Sequence, residues 1–196
     1  MPRSNALEVL RQDPLHTRDE VLARPCPVPA IPGVYGWWFD EIPTGVPIQG
    51  CVARDGKHLL YVGISPKSPP NNGAAPSRQN LRTRLRYHYR GNAEGSTLRL
   101  TLGVLLAAEL GVELRRVGSG NRRTFGAGEA ALSEWMGANA TVSWLSDTQP
   151  WITEHELIQS IDLPLNLADN RHHVFHAQLS DLRSEAKRRA GLLSIL

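Results

Sequence analysis

Cysteine, lysine and long apolar runs are all scarce in this chain of 196 residues, and each shortage removes a class of protein. The two cysteines, Cys26 and Cys51, lack metal-site spacing. One pair in a chain of this length makes no disulfide framework, so both are expected to be reduced thiols. No apolar stretch reaches the length that crosses a bilayer, which excludes a helical membrane protein. Residues Met1 to Leu10 lack the basic-then-apolar order of a secretory signal, so the expected residence is cytoplasmic. No internal repeat is present, and no zinc finger, helix-turn-helix or other reading module is recognisable.

Lysine occurs only as Lys57, Lys67 and Lys187, whereas arginine is abundant. That imbalance says more than the net charge of +3. Between Arg78 and Arg90 stand five arginines without one acidic residue, and Arg115, Arg116, Arg122 and Arg123 surround a Gly-Ser-Gly centre. Guanidinium forks bind phosphate oxygens two at a time and stack on bases, so both segments are expected to meet a polyanion. A solvated helix face is the plain alternative for the first of them.

The patterning predicts an α/β chain. Residues 1–30, with Pro2, Pro14, Pro27 and Pro29, read as an N-terminal arm with at most one short helix. Gly33 to Phe39 is aromatic and β-branched, hence a strand, and His58 to Ile64 is a second one just after the Asp55-Gly56 turn. Pro66 to Ser77 has the composition of a mobile loop. A helix is expected over Gln79–Arg90, with Leu81 and Leu85 inward and Arg84 and His88 sharing an adjacent face. Further helices are expected over Leu98–Leu110, Gly128–Ala138, Trp151–Ile161 and Ala177–Leu192, with a basic hairpin or loop over Val112–Thr124 and a third strand over Thr141–Leu145.

Four pieces then fall in one order: Gly33-Val34-Tyr35 opening a strand, Tyr61-Val62-Gly63 closing the next, the arginine helix, and Glu154 followed by Asn166. That order resembles the GIY-YIG nucleases, a family of homing endonucleases, some restriction enzymes and the incision nuclease of bacterial excision repair. The resemblance covers about Pro32 to Asn166. It implies a small three-stranded mixed or antiparallel sheet flanked by helices, here with helical insertions and a C-terminal helix. The expected division is an arm over 1–30, a nuclease domain over 31–170 and a helical extension over 171–196.

The family also implies roles. Asn80 to His88 is similar to its first helix, where Arg84 would reach the scissile phosphate and His88 lies one turn later. In Glu154-His155-Glu156-Leu157-Ile158 the position three before the Leu-Ile pair selects Glu154 over Glu156 as the ligand of Mg²⁺ or Mn²⁺. Tyr35 would take the proton of the attacking water, with His88 as the alternative base, and Tyr61 would orient the water or the phosphate. Gly63, Arg82, Arg86 and Asn166 are the expected substrate contacts, Asn166 being equally suited to bracing the backbone. One departure stands out: Ile64 occupies a position where relatives often carry lysine, so a phosphate contact there would fall to Lys67 or a neighbouring arginine. The implied partner is nucleic acid, DNA rather than RNA, with no oligomeric state indicated.

The chemistry asks for these residue types independently. Phosphodiester hydrolysis adds negative charge to the phosphorane oxygens, which a fixed guanidinium and a divalent cation offset best where water is scarce. Taken singly, each residue has a plain reading: strand tyrosines with satisfied hydroxyls, a surface arginine, a glutamate favouring a helix dipole. His172, His173 and His176 lack accompanying cysteines or carboxylates and read as packing or phosphate contacts, not a metal site. Trp37, Trp38 and Trp151 read as core or hairpin residues.

Overall fold

The computed structural model describes residues 5–69 and 77–196, so most of the Pro66–Ser77 loop lies outside the described residues. Helices α1 (Ala6–Gln12) and α2 (Arg18–Leu22) precede strands β1 (Gly33–Phe39), β2 (Ala53–Arg54) and β3 (Lys57–Ser65). Then come helices α3 (Leu81–Arg90), α4 (Thr97–Leu105) and α5 (Ala107–Leu110), and the hairpin of β4 (Arg115–Val117) and β5 (Arg122–Thr124). Helix α6 (Gly128–Asn139), strand β6 (Ala140–Ser146), and helices α7 (Pro150–Ser160) and α8 (His176–Leu192) complete the chain. Among the described residues no helix is long and apolar enough to cross a membrane.

The main sheet has the order β2-β3-β1-β6 with every pair antiparallel, four strands where three are expected from sequence. The added strand is the short arm of a hairpin. Asp55 and Gly56 have φ of 51° and 74°, the left-handed backbone that a tight hairpin turn uses, and they fold Ala53 and Arg54 back onto His58 and Lys57. Two residues carry no alternation, which is why composition shows the turn and not the strand before it.

Both faces of the sheet are covered, and β1 is buried along its whole length. Tyr35, Trp37 and Phe39 join the larger apolar cluster, with Leu85, Leu98, Trp135 and Leu179. Val34, Trp38, Leu59 and Val62 face the smaller one, with Leu10, Leu157 and Ile158. A strand enclosed on both sides shows a continuous apolar run instead of alternation, as Val34 to Phe39 does.

The edges are closed by chain from elsewhere. His16 pairs with Val142 beyond β6. Along β3, Leu165 N–H donates to the Leu60 carbonyl at 3.0 Å. The Asn166 side chain takes both main-chain groups of Val62, accepting from N–H at 3.0 Å and donating to the carbonyl at 2.9 Å. Such caps satisfy edge groups that would otherwise invite pairing with another strand.

Three local expectations are corrected. The N-terminal arm holds two helices and docks on the body, with Leu10, Val21 and Val28 fully buried. The helix expected over Leu98–Leu110 breaks at Leu106 into α4 and α5. Within that apolar run Arg99 is fully buried, its guanidinium held by Glu129 Oε2 at 2.6 Å, the Glu129 carbonyl at 2.8 Å and the His88 carbonyl at 2.9 Å. Finally, half of the basic hairpin is spoken for. Arg115 donates to the Ser194 carbonyl at 2.9 Å, and Arg116 to the Ala190 and Leu193 carbonyls at 3.2 and 2.9 Å, satisfying acceptors at the end of α8.

Candidate active site

Strand register sets the two tyrosines. Tyr35 lies opposite Gly63 and Trp37 opposite Tyr61, so Tyr35 and Tyr61 are diagonal neighbours on one face of the sheet. The Tyr35 ring leans across Gly63: a Cβ there would come within 2.6 Å of the phenol oxygen. Gly63 is thus required by the packing of Tyr35, an effect on the substrate side that is indirect.

Helix α3 runs over this face. Asn80 opens it by accepting the Thr83 N–H at 3.0 Å, and Arg84 follows one turn in. Arg84 Nε donates to Tyr35 Oη at 3.3 Å and Nη1 to the Gly95 carbonyl at 2.7 Å, while Nη2 has no hydrogen-bond partner among the described residues. Helix α7 starts with Pro150 at its first position, and the Thr153 hydroxyl donates to Asp147 at 2.5 Å beside that start. Leu157 and Ile158 bury its inner stripe, which carries Glu154 half-buried toward the sheet and leaves Glu156 exposed. The result is a cleft of about 600 Å³ lined by Tyr35, Tyr61, Lys67, Arg84, Trp151, Glu154 and Asp169, among others. Four side chains read from four separate stretches of sequence line one cavity.

The family model described as the GIY-YIG catalytic domain matches residues 33–185. The chain belongs to the GIY-YIG nuclease family. No curated protein and no solved structure matches it. The family's members are nucleases, hydrolases that act on nucleic acid, and this gives the chain a nuclease-type function.

Not every expected residue reaches the GIY-YIG cleft. His88 is fully buried behind Tyr35, with Nε2 2.8 Å from the Tyr35 oxygen and Nδ1 2.7 Å from Ser96 Oγ. Because Arg84 Nε donates to that phenol oxygen, we assign the phenol proton to the His88 Nε2 bond, which puts the ring proton on Nδ1 facing Ser96. Arg82 and Arg86 point to the arm, donating to the Val28 carbonyl at 2.7 Å and the Leu22 carbonyl at 3.3 Å. Asn166 lines the cleft, but its amide is committed to Val62. His173 accepts the Phe175 N–H at 3.1 Å, and among the described residues no group of three or more histidines, cysteines or carboxylates is placed to hold a metal ion.

Electrostatics follow from burial. Tyr35 is pushed up to about 12 by desolvation against the pull of Arg84, so the phenol is neutral at neutral pH. Tyr61 is raised by the same cause. Burial, then Arg84 and Arg99, hold His88 well below 6.5, so the imidazole is neutral too. Glu154 rises to about 7, chiefly by desolvation and then by the nearby Asp169, against Arg84 and Lys67. Asp169 was not singled out from sequence. Its φ of 59° is rare for a residue other than glycine, and nothing in the sequence foretells it.

A divalent cation fits this donor set. The Glu154 carboxylate makes no hydrogen bond or ion pair among the described residues, and it is desolvated next to a second carboxylate, so positive charge placed there relieves both burdens. With so few protein oxygens at hand, the remaining coordination would fall to water and to phosphate, the habit of Mg²⁺. Trp151, expected as a core or hairpin residue, is half-buried on the cleft wall at the start of α7.

Proposed function

We propose that this GIY-YIG protein is a metal-dependent endonuclease that hydrolyses phosphodiester bonds in DNA, seating the scissile phosphate between α3 and α7. One observation supports this above all: Arg84 and Glu154, seventy residues apart, line the same cleft as Tyr35 and Tyr61. Glu154, with Asp169 beside it, would hold Mg²⁺ or Mn²⁺. A bound ion of that kind supplies charge to the phosphate oxygens and acidifies water.

The chain's own groups supply the rest. Arg84 presents Nη2, which has no partner among the described residues, to a phosphate oxygen and stabilises the charge added in the transition state. Tyr35 accepts a proton from the attacking water while its own passes to neutral His88 Nε2, along the bond already in place. His88 acts through Tyr35 and is a positioning residue, since it does not line the cleft and its nitrogens are taken by Tyr35 and Ser96. The Tyr61 hydroxyl has no partner among the described residues and orients the water or the phosphate. Lys67 lines the cleft near Glu154 and stands in for the lysine that Ile64 replaces. Trp151 offers a face to a base beside the scissile phosphate.

Supercoiled plasmid, linear duplex and structured RNA of matched length, incubated with Mg²⁺, with Mn²⁺ and with chelator, test the assignment. Cutting of DNA that needs the metal and outpaces RNA is the expected result. Preferential cutting of RNA would move the substrate to the other nucleic acid, and binding without cleavage of either would make the domain a noncatalytic binder.

A further inference from the structure

Next to the cleft lies a smaller cavity of about 270 Å³ that the catalytic residues do not use. Its walls include Arg183 and Lys187 from α8, Arg123 from β5, Glu94, and Thr97 at the start of α4. Thr97 also lines the cleft, so the two cavities meet at the positive end of a helix of nine residues. We propose that this cavity is a second phosphate subsite, holding a backbone phosphate that flanks the scissile one on the same nucleic-acid strand. The proposal rests on the nuclease reading of the cleft.

Three cations line the cavity against a single carboxylate, and none of the three forms an ion pair among the described residues. Glu94 is present in a positioning capacity, accepting the Arg123 N–H at 2.7 Å and so fixing the hairpin. Arg183 is half-buried, and among the described residues its one hydrogen-bond partner is the Thr101 hydroxyl, at 3.3 Å. Arg123 Nε is buried without a partner among the described residues. Arg82, Arg99 and Arg116 by contrast spend their guanidiniums on carbonyls or carboxylates, while Arg18 and Arg115, like Arg123, each keep a buried Nε without a partner among the described residues. Unspent donors crowded together are costly unless an anion completes them. Lys187 is exposed, and partial desolvation first, then the like charges of Arg183 and Arg123, hold its ammonium below the ordinary value, with Glu94 opposing.

Arg183 also ties the two cavities electrically, because its charge acts on the Tyr61 phenol in the cleft. A strand whose scissile phosphate rests between Arg84 and Glu154 would therefore lead its next phosphates past Thr97 toward Arg183 and Lys187. Recognition of this kind is of backbone charge, so it adds affinity without base preference.

Binding of a fluorescein-labelled DNA duplex to the full chain, in chelator so that no cutting occurs, tests this across a series of KCl concentrations. Each of Lys187→Gln and Arg123→Gln is expected to flatten the dependence of log affinity on log salt by about 0.9, the loss of one phosphate contact. Lys187→Arg should restore the wild-type slope, and Arg11→Gln on α1 should leave it unchanged. Slopes in Lys187→Gln and Arg123→Gln equal to wild type would overturn the subsite, even if the protein proves to be an active nuclease. Flattened slopes in a protein that cuts nothing would keep the subsite and remove the nuclease reading instead.

Discussion

The Tyr35 phenol oxygen and His88 Nε2 lie 2.8 Å apart, with His88 fully buried and Tyr35 nearly so on the wall of the cleft. One is a first-tripeptide tyrosine on β1 and the other the last-turn histidine of α3, so the bond joins sheet to helix at the cleft floor. If Tyr35 relays a proton through this bond, Tyr35→Phe should cut kcat by roughly 100-fold or more, a typical worth of a placed acid-base group. His88→Phe should lower kcat with little change in KM. Because His88 is held neutral well below 6.5, the wild-type pH–rate profile should show no ionisation of that imidazole between pH 6 and 8. A histidine-like limb that disappears in His88→Phe would contradict this.

Gly63→Ala tests the packing of Tyr35. The added methyl carbon would stand 2.6 Å from the phenol oxygen, closer than nonbonded atoms tolerate, so the ring must move. Overpacking of this kind costs about 1–3 kcal/mol, and here it also breaks the contacts to His88 and Arg84. Loss of both stability and turnover is expected from urea unfolding and cleavage rates. Wild-type values for both would show that the ring is not confined.

What the sequence disclosed, and what it hid, divides along a physical line. Tyr35, Tyr61, Arg84 and Glu154 sit in short stretches whose chemistry is local: a strand opening, a strand end, a helix turn, a carboxylate before an apolar pair. Their meeting in one cleft follows from sheet register and two helix dockings, which fix many positions at once. Arg82 and Arg86 read just like Arg84 in sequence, yet their forks go to carbonyls of the arm. Periodicity gives a helix face but not which chain segment covers it. Arg99 is hidden for the opposite reason, being one charge in an apolar run whose partner Glu129 comes thirty residues later. Asp169 enters the cleft only through a left-handed backbone that no pattern announces.

The Arg99–Glu129 pair braces the wall behind His88. Glu129 also accepts the Ala93 and Phe125 N–H groups at 2.8 and 3.0 Å, so removing the carboxylate strands a buried guanidinium and two amides. Glu129→Ala should destabilise the fold by about 3–5 kcal/mol, the usual result of breaking one side of a buried pair. Urea denaturation measures it, and a loss below about 1 kcal/mol would mean that the pair is not structural.

Glu154 should weaken the fold that it serves. Its carboxyl is raised to about 7 from 4.5, so between those values the folded protein binds more protons than the unfolded chain, and stability falls as pH rises through that window. Metal-free Glu154→Gln, which carries no charge, should therefore be more stable than wild type above pH 7, by on the order of 1–2 kcal/mol, and no different below about pH 4. Mg²⁺ should stabilise the wild type and not the variant. A variant less stable than wild type at pH 8 would show that the carboxylate is already satisfied by protein groups.

The most direct test is single-turnover plasmid cleavage at saturating Mg²⁺ by wild type, Glu154→Ala and Arg84→Ala. Wild type is expected to cut, and each variant to be slower by about 100-fold or more, in keeping with loss of a metal ligand or a charge-stabilising donor. Wild-type cleavage matched by Glu154→Ala would mean that the phosphate is hydrolysed somewhere other than this cleft.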